Sequence, residues 1–267
     1  MDEKKVAIIT GASSGIGWAV ARRAARQGWR VVVAARRAAR LTDLVRRIQA
    51  DGGQALAVTA DLSDPTDQAR LLAAAIAAYG RLDVLVNNAG LPLERDFADS
   101  DPTDLRRQWD VNVTALVTLT RLALPHLEAT GGVVINIGSV VGRVAVPGWG
   151  NYSATKVAVA GLTDALRREL ALRGVRVCLV EPGPIATEFY QRSGGSNNPA
   201  PRFAVPAPVA AQAIVRLFTH PQRRITIPAW ISPWLTLVEW LARLAPPLAD
   251  AILMARQRQA TAAKRET

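Results

Sequence analysis

Short apolar runs and longer amphipathic segments alternate along this chain of 267 residues, and this alternation constrains the fold more than any other feature. Runs such as VVVAA and DVLV are apolar at nearly every position, which is typical of strands covered on both faces. Strands that alternate with helices favour a parallel sheet with right-handed crossovers. The predicted strands are Val6–Thr10, Arg30–Ala34, Ala55–Ala60, Val84–Asn87, Val133–Ile137, Val175–Val180 and Ile225–Ile227.

Helical patterns fill the intervals between these strands. The sequence therefore predicts an α/β fold, a doubly wound Rossmann-like three-layer sandwich around a seven-stranded parallel sheet. Neither a linker nor an internal repeat divides the chain, so we expect one domain over residues 1–228, with residues 229–267 as a helical extension of it. The predicted helices lie near residues 15–27, 38–50, 65–79, 103–128, 152–173 and 207–218.

Composition restricts the compartment and the partners. The single cysteine, Cys178, rules out a disulfide framework, and its apolar run VRVCLV predicts a buried strand position. The start MDEKKVAIIT has no apolar stretch of signal-peptide length, and no uncharged apolar run of about 18 residues occurs, so we expect a cytoplasmic protein. The net charge is +11, but the basic residues are spread over several helices and form no nucleic-acid-binding module. We therefore expect no nucleic-acid partner.

A glycine-rich turn follows the first predicted strand and reads TGASSGIG at 10–17. Gly11 permits a tight turn, Gly15 lets the backbone approach a pyrophosphate, and Gly17 lets the next helix pack closely on the strand. The N-terminus of that helix then presents N–H groups to phosphate oxygens. The residues predicted to contact a nucleotide here are Gly11, Ser13, Ser14, Gly15, Ile16 and Gly17.

The ends of the next three strands carry further nucleotide contacts. Arg36 and Arg37 end the second strand about where a nucleotide with a free ribose 2′-hydroxyl meets an acidic residue, and an arginine fork suits a 2′-phosphate. The alternative is that both arginines are solvated residues at a helix start. A carboxylate in Asp61-Leu62 could accept from an adenine amine, and the small residues in Asn88-Ala89-Gly90 leave room for a ribose. Either of these two segments alone could be ordinary turn chemistry.

The segment NYSATK at 151–156 places Tyr152 and Lys156 on one helix face, since residues at i and i+4 are neighbours. A free tyrosine has a pKa of about 10, too high for proton exchange at neutral pH. A nearby ammonium would stabilise the phenolate and lower that pKa. This spacing predicts a proton donor and its tuning group, although a surface tyrosine with an unrelated lysine has the same spacing.

Taken together, the chain resembles the short-chain dehydrogenase/reductase family. The matching motifs are TGASSGIG at 10–17, NNAG at 87–90, Asn112 in DVNV, Ser139 in INIGS, YSATK at 152–156 and PG at 182–183. They occur in the order and spacing of the family, and the resemblance covers residues 4–228. Each motif is short, but the set is highly specific.

The resemblance implies an oxidoreductase. A ketone oxygen would bind between Ser139 and Tyr152, which supplies the proton while a nicotinamide delivers a hydride to the carbonyl carbon. Lys156 would also hold the nicotinamide ribose, and Asn112 would anchor a water linked to Lys156. Because of the two arginines, NADP(H) is favoured over NAD(H). The nicotinamide would be flanked by Pro182, Gly183, Ile185 and Thr187. His126 and His220 join no Cys, His or Asp cluster, so no catalytic metal is expected.

Two segments are expected to shape the substrate site. Gln191–Pro206 is rich in Gly, Ser, Asn and Pro and is predicted to be a mobile loop that acts as a lid. Beyond residue 228, Ser232 and Pro233 look like a helix N-cap and first residue, and Pro246-Pro247 like a stop. We expect a helix over Ile231–Leu244 that borders the substrate opening. A second short helix is expected at Leu248–Arg256.

The predicted helix has a broad apolar face, which is expected to be buried against another surface. It could pack on its own domain, on a partner subunit, or in a membrane interface, where tryptophan and basic residues are favoured. Residues 216–267 carry eight Lys/Arg and three Asp/Glu, a net charge of +5. A homo-oligomer, either a dimer or a tetramer, is expected, although the extension weakens the expectation of the tetramer usual in the family.

The predicted function is NADP(H)-dependent interconversion of a carbonyl and a secondary alcohol. An apolar ketone is favoured because the loop and the extension supply Phe189, Tyr190, Phe203 and Trp230. One alternative is a 3-oxoacyl-carrier-protein reductase, whose acidic carrier would suit the basic surface. An alternative of another class is a non-catalytic nucleotide-sensing or scaffold protein on the same fold.

Overall fold

The structure is a computed structural model that describes residues 4–194, 201, 203–251 and 254. Seven parallel strands form the central sheet in the order β3-β2-β1-β4-β5-β6-β9, and the sheet is flanked by helices on both faces. The predicted α/β class and the seven-stranded parallel sheet are confirmed. Its strands are β1 Val6–Thr10, β2 Arg30–Ala35, β3 Gln54–Thr59, β4 Val84–Asn87, β5 Val133–Ile137, β6 Arg176–Pro182 and β9 Arg224–Ile227.

Two apolar cores, one on each face of the sheet, hold the three layers together. Successive side chains of a strand point to opposite faces. Accordingly, Ala7 and Ile9 join the core beneath α1 (Gly15–Arg26), while Val6 and Ile8 join the core on the opposite face. The first core is completed by α2 Ala38–Ala50 and α7 Ala207–Arg216, and the second by α3 Pro65–Tyr79, α5 Ala115–Thr130 and α6 Gly150–Ala171. This arrangement explains why the central strands are apolar on both faces.

The single helix predicted over 103–128 is wrong in one respect, because the structure divides it. Helix α4 (Pro102–Trp109) leads into a π-helical turn at Asp110–Thr114, and α5 follows. Such turns occur frequently at functional sites. Here the turn carries Asn112, whose side chain bonds to the backbone of Leu91. Periodicity cannot detect this insertion, since the helical spacing continues on both sides of it.

Part of the predicted loop Gln191–Pro206 has regular structure. Tyr190–Arg192 forms a 3₁₀ turn, and β8 (Val205–Pro206) pairs in parallel with β7 (Ile185–Ala186). Residues 195–200 and 202 lie outside the described residues, so the expectation of a mobile lid is not tested there.

Helix α8 spans Ile231–Leu244, as predicted, but it does not begin as predicted. Ser232 lies inside the first turn and is not the N-cap. The helix starts early because the backbone N–H groups of Ile231 and Ser232 donate to the carbonyls of Pro228 and Ala229. Residues 246–251 are helical again, two residues before the predicted second helix, which ends outside the described residues. None of the described helices is long and apolar enough to cross a membrane.

Candidate active site

A cavity of about 340 Å³ opens at the carboxyl ends of the parallel strands. Ligands bind at this edge of open α/β sheets, where neighbouring crossovers diverge. Two predicted site residues, Gly17 and Asn112, do not line the cavity. The predicted residues that do line it are Gly11, Ser13, Ser14, Gly15, Ile16, Arg36, Arg37, Asp61, Leu62, Asn88, Ala89, Gly90, Ser139, Tyr152, Lys156, Pro182, Gly183, Ile185 and Thr187.

The glycine turn is shaped for close backbone approach. Gly11 and Gly15 have φ of +63° and +58°, a backbone region that residues other than glycine rarely adopt. A Cβ at Gly11 would lie 2.8 Å from the Cα of Ala89, and one at Gly17 would lie 2.6 Å from the carbonyl oxygen of Gly11. The turn therefore requires glycine at these positions. With the N-terminus of α1 beside it, the turn fits a pyrophosphate.

Thr10 and Asn88 lock the glycine turn to the end of β4. The Thr10 hydroxyl accepts from the backbone N–H groups of Asn88 (2.9 Å) and Ala89 (3.0 Å). The Asn88 amide donates to the carbonyl oxygen of Thr10 at 2.8 Å. Asn88 and Ala89 are thereby held beside the glycine turn, and with Gly90 they line the cavity.

A cluster of arginines surrounds one end of the cavity. The guanidinium of Arg37 donates to Ser13 Oγ (3.1 Å) and Ser14 Oγ (2.7 Å), and it pairs with Glu188 at 2.9 Å. Arg36 is nearly half exposed, and its guanidinium lies 3.9 Å from the carboxylate of Asp61. Arg192 lines the same end, where burial first and then the neighbouring arginines lower its pKa. Sequence reading missed Arg192 and Glu188.

The three arginines, Arg36, Arg37 and Arg192, form an electropositive end that fits a phosphate group. Asp61 is the predicted adenine contact. One of its carboxylate oxygens already accepts hydrogen bonds from the backbone N–H (3.1 Å) and the hydroxyl (2.8 Å) of Ser63. It nevertheless keeps its place at the cavity edge beside Leu62.

Tyr152 is buried at the cavity wall. Burial raises the pKa of its phenol above the usual value, because a phenolate would be desolvated there, and a hydrogen bond with Ser139 opposes this rise only in part. Lys156 lies with its ammonium 5.5 Å from the centre of the Tyr152 ring. The predicted lowering of the tyrosine pKa by Lys156 is therefore not found in this structure. The phenol is protonated at neutral pH and is available as a donor.

Lys156 reaches the cavity through the interior of the protein. Its ammonium donates to the carbonyl oxygen of Ile137 at 2.9 Å, and burial lowers its pKa to about 8. The side chain of Asn112 lies close by but is hydrogen-bonded to other residues. Its side chain accepts from Leu91 N–H (2.7 Å) and donates to Thr155 Oγ1 (3.1 Å). Asn112 thus fastens the loop after β4 to α6, the helix that carries Tyr152 and Lys156.

Aromatic side chains form the wall beside Tyr152. Trp149, which sequence reading missed, packs on Tyr152 with ring centres 5.4 Å apart and stacks with Phe189 at 6.0 Å. Tyr190 extends this wall. The expected contributions of Phe203 and Trp230 are wrong. Both are 64% exposed, and neither lines the cavity.

Helix α8 approaches the site without entering it. Ile231 lies 3.2 Å from where a Cβ on Gly183 would be, and Arg143, shortly after Ser139, bonds to Glu239. None of the residues of α8 lines the cavity. No group of three or more His, Cys, Asp or Glu in the described part of the chain is placed to hold a metal ion.

Replacing Lys156 by methionine is expected to stabilise the protein at pH 7. Below about pH 8 the native state holds a desolvated ammonium, whereas the unfolded chain titrates near 10.5. The unfolded state therefore binds more protons between these values, and wild-type stability rises with pH there. At pH 7 the free energy of unfolding of the variant should exceed that of the wild type by on the order of 3 kcal/mol, less the contribution of the lost hydrogen bond to Ile137. This difference should shrink as the pH rises toward 10.5.

Urea denaturation of both proteins at pH 7 and pH 10 measures this difference. Lys4→Met, at an exposed position, is the matched control and should change little at either pH. A gain that is the same at both pH values would contradict the assigned cost of burying the ammonium.

Comparison with known proteins gives the same picture as the geometry. A family model for short chain dehydrogenases matches residues 5–197. An uncharacterized oxidoreductase of Methylorubrum extorquens is 42% identical over 193 residues, 72% of this chain and 77% of that protein. A 3-oxoacyl-[acyl-carrier-protein] reductase of Synechocystis is 38% identical over 189 residues, which cover 70% and 76% of the two chains.

Solved structures of nucleotide complexes share the fold. A short-chain dehydrogenase from Sphingobium yanoikuyae in complex with NADPH aligns with a TM-score of 0.78 and 31% identity, covering 96% of this chain and 95% of that one. A short-chain dehydrogenase/reductase from Burkholderia phymatum in complex with NAD aligns with a TM-score of 0.82 and 25% identity, covering 91% and 96%. The family match, the parallel sheet and the cavity beside the glycine turn agree, and the chain belongs to the short-chain dehydrogenase family of oxidoreductases.

Proposed function

We propose that this chain is an NADP(H)-dependent oxidoreductase that interconverts an apolar ketone and its secondary alcohol. The observation that carries the proposal is the placement of Tyr152, Ser139 and Lys156 on one wall of a cavity. The glycine turn and the arginine cluster line the same cavity. A protonated phenol, a hydroxyl and an ammonium beside a nucleotide-shaped cradle suit carbonyl reduction.

In the proposed reaction, the hydroxyl groups of Ser139 and Tyr152 hold the carbonyl oxygen between them. When bound, the nicotinamide coenzyme supplies the hydride in reduction and accepts it in oxidation. Tyr152, whose phenol stays protonated at neutral pH in this buried position, donates its proton to the developing alkoxide. Lys156, in its charged form, stabilises the phenolate left behind. In alcohol oxidation, Tyr152 is the base.

The coenzyme is proposed to lie across the strand ends. The turn at residues 11–17 would hold the pyrophosphate at the N-terminus of α1, and Arg36 with Arg37 would bind the 2′-phosphate. Asp61 and Leu62 would face the adenine. The adenosine ribose would lie against Asn88, Ala89 and Gly90, and the nicotinamide would lie against Pro182, Gly183, Ile185 and Thr187.

Preference for an apolar ketone is supported by the aromatic wall of Trp149, Phe189 and Tyr190. A screen of purified full-length protein with NADPH against ketones of increasing chain length and ring size tests this proposal. We expect kcat/KM to rise with apolar size until the cavity is filled, because each buried methylene adds about 0.8 kcal/mol. The absence of NADPH oxidation with every ketone would overturn the proposal.

A 3-oxoacyl-carrier-protein reductase is the second candidate, favoured by the similarity to the Synechocystis enzyme and by the net charge of +11. The same screen separates the two, since a carrier-linked 3-oxoacyl thioester would then exceed every free ketone in kcat/KM. We also propose a cytoplasmic homo-oligomer. The exposure of the apolar side chains of Trp109, Val117 and Val157 on neighbouring helices supports this assembly.

A further inference from the structure

Helix α8 turns an apolar surface away from the domain. Trp234, Leu237, Trp240 and Leu244 are 64%, 58%, 55% and 77% exposed, and none of the helix is fully buried. Trp230, at the start of the helix, is 64% exposed. A surface helix of a globular domain normally packs its apolar side on the core. Helix α8 leaves much of that side uncovered.

Polar side chains of α8 fix this orientation. Arg143 donates to both carboxylate oxygens of Glu239, at 3.0 and 2.6 Å, and to the Thr236 hydroxyl at 2.9 Å. The Arg143 side chain is only 9% exposed, so the pair is shielded from competing water. Ile231 packs beside Gly183 at the other end of the contact. The exposed tryptophans are therefore held outward by contacts with the domain.

Charge and composition indicate what the outward surface meets. Three of the seven tryptophans in the chain lie within residues 230–240, and tryptophan favours the boundary between lipid and water. Arg243 is exposed beside Leu244, and residues 216–267 carry a net charge of +5. A second copy of this chain would bring the same positive charge to the contact and be repelled, whereas an anionic surface would be attracted.

We propose that the outward face of α8, defined by Trp230, Trp234, Leu237, Trp240 and Leu244, docks on an anionic lipid surface. The helix lies in the interface, with tryptophan and leucine side chains among the acyl chains and arginines at the headgroups. This geometry does not require a membrane-spanning segment. It rests on the exposure, orientation and charge of α8, and it does not depend on the proposed reaction.

Sedimentation of the full chain with lipid vesicles tests this proposal. We expect binding to phosphatidylcholine vesicles that contain phosphatidylglycerol, weaker binding to phosphatidylcholine alone, and loss of binding as salt screens the charges. The double variant Trp234→Ser/Trp240→Ser should lower partitioning by about tenfold or more, because two large apolar side chains no longer enter the lipid. A blue shift of tryptophan fluorescence on binding should also disappear.

The matched control is Phe97→Ser/Leu172→Ser, at apolar positions that are 92% and 94% exposed but far from α8 in sequence. It should bind vesicles like the wild type. Circular dichroism verifies that both variants are folded. The proposal is overturned if the wild type does not bind anionic vesicles or if both double variants lose binding equally. It is also overturned if the α8 variant only converts an oligomer to monomers, which would show that a second copy covers the face.

Discussion

Tyr152→Phe is expected to remove nearly all turnover while leaving coenzyme binding largely intact. Phenylalanine keeps the ring and its contacts with Trp149 and Phe189, whose ring centres lie 5.4 and 5.6 Å away. It removes only the hydroxyl, the group proposed to donate the proton. Steady-state kcat and an NADPH titration, read by fluorescence, measure the two effects separately.

Tyr190→Phe is the matched control for this substitution. Tyr190 also lines the cavity and packs on Phe189, but the hydrogen bond to Ser139 belongs to Tyr152. Turnover of the control should therefore stay close to wild type. If Tyr152→Phe retains more than about a tenth of kcat, the barrier has risen by less than about 1.4 kcal/mol, and Tyr152 is not the acid.

The fold could be predicted from sequence because its signals are local and repeated. Each strand is an apolar run and each helix an amphipathic segment, so errors at the ends of β3 and β6 shift the bounds by one or two residues without changing the topology. The interruption at Asp110–Thr114 escaped prediction because it is only five residues long and helical patterns flank it on both sides. Within it, the Asn112 side chain hydrogen-bonds to the backbone of Leu91, 21 residues earlier in the chain, a contact that no local pattern contains.

The site was predictable to the extent that motifs mark it. Glycine positions, Ser139 and the Tyr152–Lys156 pair are read from short patterns, whereas the ionisation of that pair depends on burial, which a pattern does not contain. Contacts between distant segments were likewise missed. Glu188 pairs with Arg37 from 151 residues away, a distance in sequence at which no motif links them.

The orientation of α8 also depends on a contact between distant segments that no local sequence pattern reveals. Its periodic apolar face suggested packing on some surface, and its bounds were correct. Its anchoring by Glu239 to Arg143, which is 96 residues away, is invisible in a helical wheel. The polar stripe alone gave no reason to place the glutamate against the domain and the tryptophans outside it.

Arg36→Asp is expected to weaken NADPH binding and to shift the coenzyme preference toward NADH. The guanidinium of Arg37 is already engaged by Ser13, Ser14 and Glu188. Among the residues that the structure describes, Arg36 has only the distant carboxylate of Asp61 within ion-pair range, and its side chain is 48% exposed. Arg36 is therefore the better-placed partner for a 2′-phosphate. A charge-assisted pair contributes about 1.5–3 kcal/mol, so the ratio of kcat/KM values should change at least about tenfold.

The shift in coenzyme preference should depend on the position of the replaced arginine and not only on the change in net charge. Arg46→Asp, at a 76% exposed position on α2 that pairs with Asp43, makes the same change in net charge away from the cavity and should leave the preference unchanged. An equal shift in both variants would indicate a general field effect. If the wild type binds NADH as tightly as NADPH, the arginines at the end of β2 do not recognise the phosphate. The repulsion between an introduced aspartate and the phosphate explains why the effect of Arg36→Asp should exceed that of Arg36→Ala.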